Sequence, residues 1–329
     1  MKKIIKKSIV VNKILFYCGF LYFKFFGTTP YISHMAMVNL YCLTNGKFLS
    51  KFSEKEKFTF YVKQQSKLFN NVKTNDLKKV VEEINKEGYK IFDYQLNPKA
   101  VKDLKSLSYK LKAKVGEDQI IFDPEDKKSN IYKFNPNDII NNHWVQHLIM
   151  DPVLINIAGF YLGSNPIFDF AAMWWSTDLK EKKEDGAQEY HFDLDRPKWL
   201  KIFIYLTDVN KDNGPHCYIS GTHKVGNKPQ EILNKGYVRV ADFELEKYYP
   251  KSSFKEVTGP AGTIVFGDTG CWHKGKPIVK GDRLILQLEY TSSLFGLNLP
   301  KFRISNPSTA FSKFCENNKV FTKNIQLKV

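Results

Sequence analysis

The sequence predicts a mainly β protein, a double-sheet jelly roll with helices flanking it, and two observations carry that prediction. In the first half of the chain, apolar residues recur at helical spacing between glycine and proline signals. From residue 167 the texture changes. Runs rich in β-formers at 167–176, 200–206, 263–266 and 283–290 alternate with polar turns marked by glycine and proline. Short strands at that spacing, after a helical first half, favour packed sheets with helices against them.

Residues 1–75 are rich in lysine and aromatics, with helical periodicity at 55–70, and are expected to form a helical N-terminal extension. The main domain, residues 76–299, opens with a helix. Leu77, Val80, Val81 and Ile84 share one face, and Gly88 supplies the stop because glycine accepts a left-handed backbone. A short strand at 89–92 comes next. Asn97-Pro98 opens a second helix with Val101, Leu104, Leu107 and Leu111 on one side. Residues 117–135 read as an acidic, polar loop, and 138–149 as a helix. Asp151-Pro152 starts a further helix that ends at Gly163. Residues 300–329 read as a basic tail without pattern.

The chain has 329 residues, 43% apolar and 15% aromatic, enough for a sizeable core and unlike a disordered composition. The net charge of +16 comes almost entirely from lysine spread along the chain. No helix-turn-helix, zinc-finger or base-stacking pattern accompanies it, so nucleic acid is not an expected partner. The five cysteines, Cys18, Cys42, Cys217, Cys271 and Cys315, are isolated and form no C-x-x-C pair. That pattern fits a reducing, cytoplasmic compartment rather than a disulfide framework or structural zinc.

Residues 1–30 carry six lysines and no acid around an apolar run at 14–22. Lys13 and Lys24 leave ten residues between them, too few to span a bilayer. No small-x-small cleavage site follows cleanly. A helix packed on the body is the first reading. Peripheral contact with an anionic membrane is the second.

The strongest chemical signal is Tyr190-His191-Phe192-Asp193. Along a strand, residues two apart point the same way, so His191 and Asp193 can offer an imidazole and a carboxylate to one ion. His273 lies 80 residues on, beside the strand at 263–266. Two histidines and one carboxylate make a facial triad, which leaves open positions on the metal and suits non-haem iron(II). Arg283 begins an apolar strand and needs an anionic partner there. A dicarboxylate co-substrate would supply one through a bidentate contact. The structural alternative is a salt bridge to Asp282 or Glu289, but Glu289 lies roughly 20 Å away along an extended strand.

These segments, with Tyr205-Leu206-Thr207-Asp208-Val209, Asn213-Gly214-Pro215, Ser220-Gly221-Thr222-His223, Gly267-Asp268 and Gly281-Asp282-Arg283, resemble the phytanoyl-CoA dioxygenase family over about residues 78–295. The resemblance implies a double-stranded β-helix (cupin-like) core and iron(II) at His191, Asp193 and His273. It also implies 2-oxoglutarate anchored by Arg283. One departure stands out: the family often has a hydroxyl residue two places after the second histidine, where this chain has Gly275. Relatives that halogenate replace the carboxylate ligand with a small residue; Asp193 is present, which favours hydroxylation.

Further candidates are weighed against ordinary structural roles. His143 and His147 have zinc-peptidase spacing, but Trp144 stands where the glutamate would be, so a structural pair is expected. His216 and His223 are expected to satisfy backbone groups in turns. Trp174, Trp175, Ser176 and Gln188 could line the pocket for co-substrate or substrate, as could Trp199 and Lys201, although aromatic residues in strands more often belong to the core. The expected activity is hydroxylation of a small organic or acyl substrate with release of succinate and carbon dioxide. Desaturation, cyclisation or epimerisation at the same centre, or a non-catalytic membrane-surface scaffold, are the alternatives.

Overall fold

The computed structural model describes residues 8–52, 58–59, 66–69, 72–179 and 189–328. Three helices come first: α1 (Ile9–Phe26), α2 (Tyr31–Thr44) and α3 (Lys47–Lys51). Ser8 caps α1 by accepting from the Val11 amide, and Gly27 ends it in the left-handed region. Most of the 55–70 segment, expected to be helical, lies outside the described residues.

Helix α4 (Thr74–Glu87) buries Leu77, Val80, Val81 and Ile84, and Gly88 stops it at φ 89°. Strand β1 (Tyr89–Ile91) and helix α5 (Pro98–Ser108) follow, with the Asn97 side chain capping the Lys99 amide. The 117–135 segment is not the polar loop that its charge suggested. It contains β3 (Asp118–Ile121) and β4 (Ile131–Phe134), which pair with β2 (Lys112–Val115). Its isoleucines and aromatics build the strands, while Asp123, Glu125 and Asp126 occupy the turn between them. The helix expected at 138–149 is two, α6 (Pro136–Ile140) and α7 (His143–Ile149). Asn142 divides them because its side chain accepts from the Trp144 amide and starts a new helix. Helix α8 (Pro152–Leu162), capped by Asp151 and ended by Gly163, is buried over almost its whole length.

The remaining elements form the jelly roll: β5 (Ile167–Thr177), β6 (Trp199–Tyr205), β7 (His216–Ile219), the short helices α9 (Gln230–Leu233) and α10 (Asp242–Leu245), β8 (Phe254–Val257), β9 (Ile264–Gly267), β10 (His273–Gly275) and β11 (Asp282–Thr291). The larger sheet runs β1-β9-β6-β11-β5-β4-β2-β3 and the smaller β10-β7-β8. Backbone bridges from His191 to His273 and from Tyr190 to Val240 extend the smaller sheet beyond β10. The chain therefore passes back and forth between two facing sheets, as a jelly roll does.

Each central strand of the larger sheet has two faces. Leu200, Ile202 and Ile204 of β6, with Leu284, Leu286 and Leu288 of β11, pack toward the helices with Val80, Ile84 and Leu154. Phe203, Tyr205 and Ile285 point the other way, onto Tyr218 and Val257 of the smaller sheet. The last thirty residues carry more pattern than their basic composition suggested. Strands β12 (Phe302–Ile304) and β13 (Ile325–Leu327) pair in parallel around α11 (Thr309–Asn317). Phe302, Ile304, Phe311 and Phe321 are buried in the main core.

One buried ion pair ties β5 to the segment between β5 and β6. Arg196 grips both oxygens of Asp169 through Nε (2.6 Å) and Nη2 (2.7 Å), and Nη1 donates to the carbonyls of Leu294 and Leu297. Both side chains are almost wholly buried, at 2% and 0% exposure. Asp169→Ala would leave the guanidinium buried without its carboxylate, and urea denaturation is expected to show a loss of about 3–5 kcal/mol. A change under about 1 kcal/mol would mean that the two carbonyls suffice.

Candidate metal centre and co-substrate pocket

Residues 190–194 alternate between buried and half-buried, so Tyr190, Phe192 and Leu194 enter a core cluster while His191 and Asp193 face the space between the sheets. His191 and His273 then sit directly opposite each other on adjacent antiparallel segments. Their backbones exchange both hydrogen bonds, at 3.0 and 2.8 Å, and their rings lie 4.3 Å apart. Asp193, two residues on, shares their face, and its amide donates to the Thr269 carbonyl at 2.8 Å. Ligand atoms from the three side chains lie within 4.8 Å of one another, the one such group among the described residues.

The histidines are preset. His191 Nδ1–H donates to the Glu189 carbonyl and His273 Nδ1–H to the Cys271 carbonyl, each at 3.0 Å. That fixes the tautomer and leaves each Nε2 lone pair for a metal. Burial lowers the pKa of both rings, His273 to about 3 with His191 contributing, so both are neutral at pH 7. Burial alone would raise the Asp193 carboxyl, but Lys201, then His273 and His191, hold it well below the usual carboxylate range. The donor set is thus deprotonated and convergent, as iron(II) requires.

Lys201 was legible only as a pocket candidate, and the structure gives it a definite role. Its Nζ lies 2.7 Å from Asp193 Oδ2, 3.4 Å from Glu289 Oε2 and 3.9 Å from Asp195 Oδ2. Glu289 sits opposite Lys201 in the β6–β11 register. Lys201 therefore stays charged despite its burial and holds one oxygen of Asp193, the carboxylate of the candidate donor set. The signal was a lysine between Leu200 and Ile202 in an apolar strand, the same one that singled out Arg283.

Arg283 is buried at the start of β11, opposite Ser176 of β5. Neither acid of the salt-bridge alternative reaches it: Asp282 pairs with Lys127 at 2.8 Å and Glu289 with Lys201. Its Nε and Nη1 have no partner among the described residues, and Nη2 meets Ser176 Oγ at 3.4 Å. Burial pushes its pKa down to about 10. Two glycines border the guanidinium. A Cβ on Gly275 would lie 3.5 Å from Nη2, and one on Gly214 (φ +79°) would lie 3.5 Å from Nη1 and clash with Ile278 and Lys276. A buried, forked cation with idle donors and room beside it fits a carboxylate. Ser176 provides, from the neighbouring strand, a hydroxyl of the kind that Gly275 lacks.

A cavity of about 790 Å³ contains His191, Asp193, His273 and Arg283, and Trp174 and Ser176 line it too. Gln188 lies outside the described residues. Trp175 is corrected: it faces the helices, stacks on Phe122 and donates Nε1 to Ser108 Oγ at 3.1 Å, because adjacent strand residues point to opposite faces. Trp199 is likewise core, donating to Thr269 Oγ1 at 2.7 Å. His143 and His147 stand on α7 and line no part of the cavity. His216 lines it but is no ligand; its Nδ1 lies 3.2 Å from the Tyr205 hydroxyl. His223 packs between the Asn85 carbonyl and the Cys271 thiol.

A jelly roll that points two histidines and one carboxylate into a wide cavity has the donor set of the facial-triad non-haem iron proteins. The phytanoyl-CoA dioxygenase family model matches residues 84–283, and the chain belongs to that family. Among curated proteins it is similar to the ectoine dioxygenases of Bordetella bronchiseptica (28% identical over 181 residues) and Bordetella parapertussis (27%). Each alignment covers 48% of this chain and 56% of the relative, so the chain spans about half the length of the curated relatives it matches. Among solved structures, apo EctD from S. alaskensis is 16% identical with a TM-score of 0.49, over 84% of this chain and 94% of that one. The epimerase SnoN, solved with Fe3+, alpha ketoglutarate and nogalamycin RO, is 14% identical with a TM-score of 0.45, over 67% and 84%.

Two outcomes test this geometry. Lys201→Met is expected to weaken cobalt(II) or manganese(II) binding by about 10–100-fold, with Lys201→Arg restoring part of it. Unchanged affinity in the methionine variant would show that Asp193 needs no orienting partner. The second concerns pH. Burial, then Arg283 and His273, keeps His216 neutral far below its ordinary range. Below pH about 6.5 the unfolded chain binds a proton there that the folded chain refuses, so stability falls as pH drops. His216 alone contributes up to about 1.4 kcal/mol per pH unit, and His216→Phe is expected to flatten the acid limb of a stability–pH curve by that share.

Proposed function

We propose that this protein is an iron(II)- and 2-oxoglutarate-dependent dioxygenase that hydroxylates a small organic substrate. The observation that carries the reading is the pairing of a preset His191–Asp193–His273 donor set with a buried Arg283 that has idle donors in the same cavity. Iron(II) with 2-oxoglutarate would supply the electrons that activate dioxygen, the keto acid being oxidised to succinate and carbon dioxide. The chain supplies positioning. His191, Asp193 and His273 hold one face of the metal, and Lys201 fixes the oxygen of Asp193 that it contacts. Arg283, with Ser176 beside it, takes the distal carboxylate of the co-substrate. Phe203, His216 and Trp174 wall the space and exclude water.

The cavity rim favours a substrate with an anionic group. Lys114 and Lys133 stand directly opposite each other on β2 and β4, and both line the cavity. Like charges placed so are unfavourable without an anion near them, and neither pairs with an acid among the described residues. Desaturation, ring formation or epimerisation at this centre would differ from hydroxylation in substrate placement alone. Product mass separates them: a gain of one oxygen, a loss of two hydrogens, or no change. We further propose a cytoplasmic setting, in keeping with five free thiols.

Anaerobic titration with iron(II) and then 2-oxoglutarate is expected to give the visible charge-transfer band of a chelated keto acid. The band should be lost or weakened in Arg283→Ala, and turnover abolished in His191→Ala and Asp193→Ala. Iron binding without a band would sink the co-substrate reading. Absence of iron binding would leave a non-catalytic scaffold.

A further inference from the structure

Helix α1 is apolar on two faces. Its inner stripe, Asn12, Phe16, Gly19 and Phe23, is buried. Phe16, Phe20 and Phe23 pack their rings on Phe295 at 5.1, 5.4 and 5.7 Å, and Asn39 donates to the Asn12 side chain at 3.0 Å. Gly19 lets α2 come close: a Cβ there would lie 1.9 Å from Ser33 Oγ. The helix is thus fastened to the body of the protein.

Its outer stripe is left largely uncovered by the described residues, Tyr17 alone meeting a ring of another element, Phe48 at 5.9 Å. Val10, Ile14, Tyr17, Leu21 and Phe25 follow one another at steps of three or four residues, and Phe25 is 82% exposed, Val10 67% and Leu21 60%. Phe26, Tyr31 and Ile32 continue the patch around the α1–α2 corner. A helix on the surface of a soluble domain ordinarily shows a polar outer face. Here the charged residues on that side are Lys13 and Lys24 alone. A contiguous apolar surface of this kind marks an interaction site.

Charge identifies the partner. The first 53 residues contain eight lysines and no aspartate or glutamate, although acids are plentiful from Glu54 onward. A protein partner could meet the apolar stripe, but an acid-free basic segment bearing exposed tyrosine and phenylalanine matches a surface that is both apolar and anionic. We propose that the outer stripe of α1, with the α1–α2 corner, lies flat in the surface of an anionic membrane and holds the protein there. At 18 residues α1 is longer than the ten-residue run between its lysines, and by length and composition it could cross a membrane; the inner stripe disfavours that arrangement. Inserting α1 across the bilayer would pull Phe16, Phe20 and Phe23 off Phe295 and carry Asn12 and Lys13 into hydrocarbon.

The full-length protein is tested by cosedimentation with phosphatidylcholine vesicles, with and without phosphatidylserine. Cys18 is the exposed one of the five free thiols and lies beside the stripe, so a polarity-sensitive dye can be placed on it. Expected are sedimentation with the anionic vesicles, weakening with salt, and a blue shift of the dye. The double variant Leu21→Glu/Phe25→Glu should lose about tenfold or more in partitioning while keeping the wild-type melting temperature and keto-acid band. No binding of the wild type to either vesicle, or equal binding by the double variant, overturns the proposal. So does a wild-type dimer that the double variant dissolves without any vesicle binding, which would make the stripe a self-association face. Resistance to alkaline extraction would overturn the flat arrangement in favour of a span.

Discussion

The site depends on one backbone pairing, the two hydrogen bonds exchanged between His191 and His273. Antiparallel strands place directly opposed residues within a few ångströms, so this pair brings together imidazoles 82 positions apart in the chain. Everything else follows from that register. Asp193 reaches the same face because strand side chains repeat every two residues. The Nδ1 bonds to Glu189 and Cys271 settle which nitrogen points inward. The larger sheet then supplies what the smaller one lacks: Lys201 beside the carboxylate and Arg283 further along the cavity.

Much of this could be read from the residues. His191-x-Asp193 is a period-two argument, and Arg283 is a buried-charge argument that excluded Glu289 by distance; Glu289 is instead partnered with Lys201. Applied to Lys201, the same reasoning would have shown that it needs an acid, though not that the acid is Asp193 of the candidate donor set. Choosing between Trp174 and Trp175 required the phase of β5, which is set by its pairing with β11 and not by any local signal. Strands β3 and β4 were hidden because the acidic turn between them dominates the composition of the segment. The split between α6 and α7 rests on a single capping asparagine. Ser176 could not be linked to Arg283 without the cross-strand register.

The N-terminal helices also approach the site more closely than their motif-free sequence suggests. Tyr41 of α2 packs on Phe192, the residue between His191 and Asp193, with ring centres 5.4 Å apart, and His34 Nε2 lies 3.1 Å from the Leu194 carbonyl. Lys228 lies under them, donating to the Tyr41 hydroxyl and to the Thr222 and Gly270 carbonyls, with its charge over the Phe192 and Trp272 rings. Burial pushes its pKa down to about 8. The back of the 190–194 segment is therefore braced by α2 and by a cation held among neutral dipoles and π faces.

The two-faced strands of the larger sheet bear on how such a protein can diversify. On β5, Phe170, Ala172, Trp174 and Ser176 line the cavity, while Ala171 and Trp175 pack toward the helices and Met173 borders both; on β11, Arg283 and Gln287 alternate in the same way with Leu284, Leu286 and Leu288. Specificity and stability are thus written on interleaved positions of one strand. Single substitutions at Ala172 or Gln287 can remodel the chamber without opening a void in the core. A one-residue insertion or deletion would do the reverse, turning every wall residue into filler and every filler into wall. Variation within this architecture is free to proceed by replacement, whereas changes of length are confined to the loops between strands.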